Sequence, residues 1–597
     1  MTTDDSDASA NLEKLNANVA KIEELSQRLV TAMSSKKQID PNLQAPGQEF
    51  FAKAASAYAT TFVHNPTRIM EHQVAYWGKL LKHYVEAQQV LSKGKLEAPE
   101  DPTPEDRRFS NPMWKTHPYF NFIKQNYLMT SEAVAQAVDD IEDLDPKDKQ
   151  RLEFFTGQIM DMFAPTNFLA TNPDALEKAV ETNGQSLVDG LENLVQDIEA
   201  RGGELLPTLA DPNAFHVGEN LATTPGAVVY RNRLIELIQY TPTTEKVHAT
   251  PLILFPPWIN KFYILDLREK NSLIKWIVDQ GFTLFVVSWK NPDASYADVS
   301  MDDYVTEGYL TAIEQVKGIT GQPKVNTIGY CIAGTTLALT LALLAKRGDT
   351  SVNSATFFTT LTDFSDQGEI GVFLDDDFLS GIEREVTQHG ILDSFFMSRT
   401  FSYLRSNDLI YGPAIKSYML GDTPPAFDLL YWNGDGTNLP AKMSMEYLRG
   451  LCMEDRFASA GFQICGETVK IGEVKTPLFA IACETDHIAA WKASYEGVRQ
   501  MGSRSKTFVL SQSGHIAGIV NPPSKKKYGH YTNTDLKQHA DGWYAGAEFH
   551  EGSWWPRWSA WLAKKSGRKV DPREPGDSTH PILAAAPGTY VSASPSA

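Results

Sequence analysis

Four cysteines stand in this 597-residue chain, at 331, 452, 465 and 483, and one of them has a setting suited to nucleophilic chemistry. It lies in TIGYCIAGTT, residues 327–336, where an apolar run ends at Tyr330 and a helix-like run, TTLALTLALLAKRG, begins at 335. Gly329 and Ala333 flank Cys331 two positions to either side, and Gly334 follows. This is the pattern of a nucleophile elbow, a sharp strand-to-helix turn that carries the nucleophile at its apex. Its neighbours must be small because the helix passes close to the strands. Cys452 has Gly450 before it but Glu454 after, and neither Cys465 nor Cys483 fits. A small buried hydrophobe at a strand end is the competing reading of Cys331, and the strand, elbow and helix context outweighs it.

A thiol with a reference pKa near 8.5 is only about 3% thiolate at pH 7, so a base must stand beside it. In a fold with such an elbow the chain order is nucleophile, acid, histidine. AIACETDHIAAW supplies Asp486 at the end of an apolar run, and VLSQSGHIAGIVNPP supplies His515 in a glycine-flanked loop after the next. The spacings are 155 residues (486 minus 331) and 29 residues (515 minus 486), and the first leaves room for an inserted cap. Glu484 is the rival acid, but it is still within or just leaving the strand. His487 is the rival base, but adjacent residues at a strand end point in different directions. A tetrahedral intermediate also needs oxyanion donors. The backbone N–H of Ile332, next after the nucleophile, is one. The second is expected from PPWINKFY (256–263), through Ile259 or Asn260.

These residues need an α/β scaffold, and the second half of the chain reads as one. Short apolar β-rich runs occur at 250–259, 282–289, 324–331, 352–360, 475–486 and 506–515, with helical patterns between the early ones. Strands buried on both faces and alternating with helices predict a parallel sheet. The alternation breaks between about 363 and 470, an acidic and aromatic interval read as a cap inserted over one end of the sheet. The expected fold is α/β-hydrolase, with an inserted cap (lid) subdomain and an α-helical N-terminal domain before it. Residues 1–45 read as a polar segment, disordered or loosely helical, 46–205 as the helical domain, and 206–597 as the catalytic domain.

A net charge of -19 argues against a nucleic-acid partner. No basic region followed by an apolar core opens the chain, so no secretory signal is read. No window approaches the ~18 apolar residues of a membrane span. Scattered cysteines exclude a disulfide framework or zinc cluster and suit reduced thiols in cytoplasm. No metal or cofactor is expected.

Serine is the commoner nucleophile for ester hydrolysis. Thiolate attack on a thioester gives another thioester with little change in free energy, which favours an acyltransferase loaded from a carrier such as coenzyme A. Several blocks resemble polyhydroxyalkanoate synthases: PPWINKFYILDL (256–267), GYCIAGTTL (329–337), YWNGDGTNLP (431–440) and SGHIAGIVNPP (513–523). HEGSWWPRWSAWLAKKSGRKV (550–570), the late APGTYV (586–591) and RRFSNPMWKTHPYFNFIKQNYLM (107–129) add to the likeness. It runs from about residue 70 to 591 and points to class I, the single-subunit, short-chain type. The resemblance implies (R)-3-hydroxyacyl-CoA as substrate, polyester as product and coenzyme A release. It also implies a cytoplasmic homodimer that ends on the polymer granule surface. Its nucleophile, acid and base fall on Cys331, Asp486 and His515, and it leaves Asp486 either as a base or as the residue that orients His515. The elbow departs from the family's G-x-C-x-G-G at one place, where Ala333 stands for glycine. A cysteine-dependent hydrolase of the same fold, a thioesterase or lactone hydrolase, is the alternative. The long helical N-terminal region counts against it.

Overall fold

A computed structural model describes residues 4–34, 43, 48–92 and 105–592. The chain divides into two compact units, Met1–Asp211 with Arg399–Pro425, and Pro212–Ser398 with Ala426–Ala597.

The first unit is helical, and no strand occurs among its described residues. Its main helices are α1 (Asp4–Ser34), α2 (Gln48–His64), α3 (Pro66–Ser92), α4 (Pro118–Asp139), α5 (Pro146–Met162) and α6 (Gln185–Ala200). Proline at the first turn starts α4 and α5, where a missing N–H costs nothing. Asp145 then caps α5 by accepting from the Lys147 N–H. Of the polar opening segment, residues 4–34 are helical; 1–3, most of 35–47 and the Pro-rich stretch 93–104 lie outside the described residues. Arg399–Pro425 packs here because it meets α6. Tyr418 donates to Asp197 Oδ2 at 2.7 Å, Asn193 donates to the Ser417 carbonyl at 3.1 Å, and a side chain at Gly190 would lie 2.1 Å from the Tyr418 carbonyl oxygen.

The second unit is built on an 11-stranded sheet. Its strands are β1 (Gly226–Arg231), β2 (Ile235–Tyr240), β3 (Leu252–Phe255), β4 (Leu284–Trp289), β5 (Val325–Tyr330), β6 (Val352–Phe358), β7 (Leu478–Cys483), β8 (Lys506–Ser511), β9 (His530–Thr532), β10 (Glu548–His550) and β11 (Ala584–Ala585). The spatial order is β10-β9-β8-β7-β6-β5-β3-β4-β2-β1-β11. From β4 to β8 every pairing is parallel, which matches the six apolar runs read in the sequence. The flanking pairs are antiparallel, so the sheet is mixed. The sequence reading missed β1, β2, β9, β10 and β11.

Helices α7 (Leu273–Asp279), α8 (Thr311–Thr320), α9 (Ile332–Lys346), α10 (Trp491–Gln500) and α11 (Trp555–Ala563) accompany the sheet. Residues 333 to 344 of α9 are all buried, so this helix is apolar all round and not amphipathic. On β2, Glu236 is fully buried and takes hydrogen bonds from Arg231, the Thr589 hydroxyl and the N–H groups of Thr589 and Tyr590. The late APGTYV block is thereby the clip that holds the C-terminal chain on the sheet edge. The Trp-rich block lies beneath β5 to β8, where Trp554, Trp555 and Trp558 are fully buried in the main core.

Candidate active site

The elbow is real in its geometry. Cys331 follows β5 directly with φ 55° and ψ -127°, a left-handed conformation that costs a non-glycine residue about 1–3 kcal/mol. Three backbone bonds hold it there: its N–H donates to the Phe358 carbonyl at 2.8 Å, and its carbonyl accepts from Gly334 at 2.8 Å and from Thr335 at 3.4 Å. The small flanking residues have physical causes. A Cβ at Gly329 would come within 2.6 Å of the Gly334 Cα, and one at Gly334 within 2.0 Å of Thr360 Oγ1. Ala333 is fully buried, and its carbonyl accepts from the Tyr309 hydroxyl at 2.8 Å.

Burial separates Cys331 from two of the other cysteines. Cys452 and Cys483 are buried, whereas Cys331 is part-exposed. Burial pushes the Cys452 thiol up to about 12 and the Cys483 thiol far above its ordinary value. Cys465 is also part-exposed, but burial, with Asp302 adding to it, raises its thiol to about 11.

His515 stands in the loop after β8, and the structure brings it to both Asp486 and Cys331. Its Nδ1 meets Asp486 Oδ2 at 2.7 Å, and the Cys331 sulfur lies near enough to favour the charged ring. Asp486 is fixed in turn, because Oδ1 accepts the N–H groups of Ile488 at 2.8 Å and Ala489 at 2.9 Å. Burial opposes a charged imidazole at this site. The Asp486 carboxylate, with its hydrogen bond, and the Cys331 sulfur outweigh it and hold His515 well above its usual value. Glu484, the rival acid, accepts from the Tyr544 hydroxyl at 2.8 Å. The ring that meets Asp486 is that of His515.

The loop carrying His515 is fastened from below. Trp554 Nε1 donates to the Gly518 carbonyl at 2.8 Å, Trp555 Nε1 donates to the Ile519 carbonyl at 2.9 Å, and Ser511 Oγ reaches Gly518 at 3.0 Å. Tyr330, the residue before Cys331, stacks on His515 with ring centroids 5.7 Å apart.

The Ile332 N–H begins α9, in the first turn, where no intrahelical acceptor exists. Opposite lies the loop after β3. Trp258 fastens it to α9 through a 3.2 Å hydrogen bond to Thr336 Oγ1, and Trp289 Nε1 holds the Pro256 carbonyl at 2.8 Å. The Asn260 N–H turns back to the Pro257 carbonyl at 3.4 Å. Among the described residues no acceptor meets the Ile259 N–H, while the Ile259 carbonyl accepts from Thr437 at 3.1 Å.

The sequence reading passed over one neighbour of the site. Tyr447, in the cap, is buried against Trp258 with ring centroids 5.2 Å apart. Burial raises its hydroxyl far above the ordinary value, and the nearby sulfurs of Cys452 and Cys331 add to that. Nothing in the local pattern KMSMEYLRGLCM distinguishes this tyrosine; only the folded cap brings it to Cys331.

Residues 105–277 match the family described as the N-terminus of poly-beta-hydroxybutyrate polymerase (PhaC), and residues 251–522 match the alpha/beta hydrolase fold. A poly(3-hydroxyalkanoate) polymerase of Methylorubrum extorquens is 39% identical over 552 residues, covering 92% of this chain and 91% of that protein. The corresponding polymerase subunit PhaC of Cupriavidus necator is 41% identical over 524 residues, covering 86% and 87%. That of Rhizobium meliloti is 39% identical over 539 residues, covering 90% and 88%. With an α/β-hydrolase catalytic unit and identity of this extent, the chain belongs to the poly(3-hydroxyalkanoate) polymerase family.

Proposed function

We propose that this protein is an acyltransferase that joins (R)-3-hydroxyacyl units into polyhydroxyalkanoate, releasing coenzyme A, through a thioester on Cys331. The observation that carries the reading is the His515–Asp486 hydrogen bond beside the strained elbow of Cys331, whose sulfur favours the charged imidazole. Family membership supplies the product class.

In this mechanism the Cys331 thiol gives its proton to His515, and the thiolate attacks the acyl-CoA carbonyl. The oxyanion is received by the N–H groups of Ile332 and Ile259; the Asn260 N–H is already turned to Pro257. Each such donor is typically worth roughly 2.7–4 kcal/mol of transition-state stabilisation. The carbon–sulfur bond to coenzyme A breaks, and the imidazolium returns its proton to the leaving thiolate. The 3-hydroxyl of a second unit then gives its proton to His515 and attacks the Cys331 thioester, which makes an ester and frees the cysteine. Asp486 is assigned the orienting role, because one oxygen is held by two backbone N–H groups and the other by His515.

Short-chain units such as 3-hydroxybutyryl-CoA belong to the same reading, as do a homodimer and residence on the granule surface. No helix among the described residues is long and apolar enough to cross a membrane. On α3, Met70, Val74, Trp77 and Leu81 are exposed at spacings of three and four residues, an apolar face that a hydrophobic polymer would wet.

The test is to mix the protein with 3-hydroxybutyryl-CoA, quench, and digest. An acyl mass on the Cys331 peptide that hydroxylamine removes is expected. Turnover with no such adduct at any time would contradict the covalent route.

A further inference from the structure

Two stretches far apart in sequence, 256–263 after β3 and 431–438 in the cap, are fastened together by a polar cluster in which Lys261 is buried and Asp435 half-buried. Lys261 is 7% exposed, and its Nζ pairs with Asp435 Oδ1 at 2.7 Å. The other Asp435 oxygen, Oδ2, accepts from the Tyr263 hydroxyl at 2.8 Å. Trp432 Nε1 donates to the Lys261 carbonyl at 2.7 Å, Thr437 N–H donates to the Ile259 carbonyl at 3.1 Å, and Asn260 bridges Gly436 as an antiparallel pair. Burial, with the Asp435 charge behind it, keeps the Tyr263 hydroxyl protonated and therefore a donor.

Apolar side chains of similar volume often hold two segments together as stably as an ion pair largely withdrawn from water does. What the ion pair and its hydrogen bonds add is one fixed geometry. The geometry they fix is that of Ile259, whose carbonyl is drawn toward Thr437 while its N–H meets no acceptor among the described residues.

We propose that Asp435 is a positioning residue for the oxyanion site: by holding Lys261 and Tyr263 it sets the Ile259 N–H, so that the site is complete only while this part of the cap is seated. The inference rests on the reading of Ile332 and Ile259 as the two donors. Its consequence is that cap seating and carbonyl activation are one event. A displaced cap leaves a nucleophile that still has its base but cannot stabilise a tetrahedral intermediate.

Two reactions of the same sulfur separate this role from a merely structural one. Alkylation of Cys331 by iodoacetamide displaces iodide at a saturated carbon and forms no oxyanion. Acylation by p-nitrophenyl butyrate passes through one: the thiolate attacks the carbonyl, the ester C–O bond breaks, and p-nitrophenolate leaves with the electron pair. In Asp435→Asn, acylation is expected to fall about 10- to 100-fold, the scale of a misplaced catalytic group. Alkylation and its pH profile stay unchanged, and kcat for coenzyme A release falls without a matching rise in KM. Lys261→Met combined with Asp435→Asn removes the stranded charge and is expected to be no worse than the single variant. Should Asp435→Asn fail to fold, Tyr263→Phe, which removes only the hydroxyl, carries the same test with a smaller loss.

Equal losses of acylation and alkylation would overturn the proposal, since Asp435 would then only support the fold. So would unchanged acylation. A parent protein that takes the ester acyl group but makes no polymer from 3-hydroxyacyl-CoA would refute the polymerase reading while leaving the ratio of the two reactions as the measure of Asp435.

Discussion

The indole of Trp554 donates to the carbonyl of Gly518, three residues beyond His515, at 2.8 Å. With Trp555 on the next carbonyl, the Trp-rich block near the C-terminus becomes the floor of the histidine loop. Gly518 has no room to move, since a Cβ there would lie 2.4 Å from the Cys483 sulfur.

Trp555→Phe keeps most of the buried ring area but removes one of the two hydrogen bonds on the Ile519 carbonyl, which retains the Asn521 N–H. The expected cost is about 0.5–1.5 kcal/mol, the net contribution of one hydrogen bond. The denaturant midpoint of the catalytic unit should fall accordingly. Coenzyme A release should slow beyond what the loss of folded protein explains, because the loop that carries His515 loosens.

Gly334→Ala would place a methyl group 2.0 Å from Thr360 Oγ1. Overpacking of this kind costs about 1–3 kcal/mol. Thr360→Ala in the same chain should recover part of both stability and turnover, because it removes the atom that is struck. Additive losses in the double variant would show that the elbow's tightness lies elsewhere.

The raised pKa of His515 sets a pH window with a definite sign. A histidine lifted above its reference 6.5 contributes stability that is fully present below that value and is lost as pH rises through the folded value. Much of the lift comes from Asp486. Asp486→Asn should therefore be most costly between about pH 5 and 6.5 and progressively less costly in alkaline solution. Unfolding titrations of parent and variant across that range check it. A gap that widens with rising pH would contradict the assigned electrostatics.

Glu236→Gln tests the C-terminal clip. The carboxylate is fully buried, and its partners are Arg231, Thr589 and Tyr590. Losing the charge should cost about 2–4 kcal/mol in this unit, since bonds to a charged group are each worth about 1.5–3 kcal/mol. Residues 584–592 should become the first site of limited proteolysis. The elbow is distant in the chain from this clip, so turnover per folded molecule should hold.

Much of the catalytic frame was legible because it is local. The β5 run, the small residues around Cys331 and the helix after them are neighbours in sequence, and each follows from a steric demand of the turn. The six parallel strands were visible as apolar runs because both their faces are covered. The antiparallel flank was not. In β2, Glu236 and Gln239 are fully buried yet polar, so the strand does not read as apolar; their partners come from Arg231 and from residues beyond 570. The pairing of Lys261 with Asp435 was hidden for the same reason. Each residue alone reads as surface charge, and only the fold buries Lys261 and sets it against a half-buried Asp435. That Arg399–Pro425 folds with α6 depends on Tyr418, Asn193 and Gly190 meeting across more than two hundred residues, which no periodicity records.

The central claim is that Cys331 carries the growing acyl chain. Purified parent and Cys331→Ala proteins would be incubated with 3-hydroxybutyryl-CoA while free thiol and insoluble polyester are followed together. Thiol release in step with polymer from the parent, and neither from the variant, is the predicted result. Polymer from Cys331→Ala, or thiol release that yields only free 3-hydroxybutyrate from the parent, would contradict it.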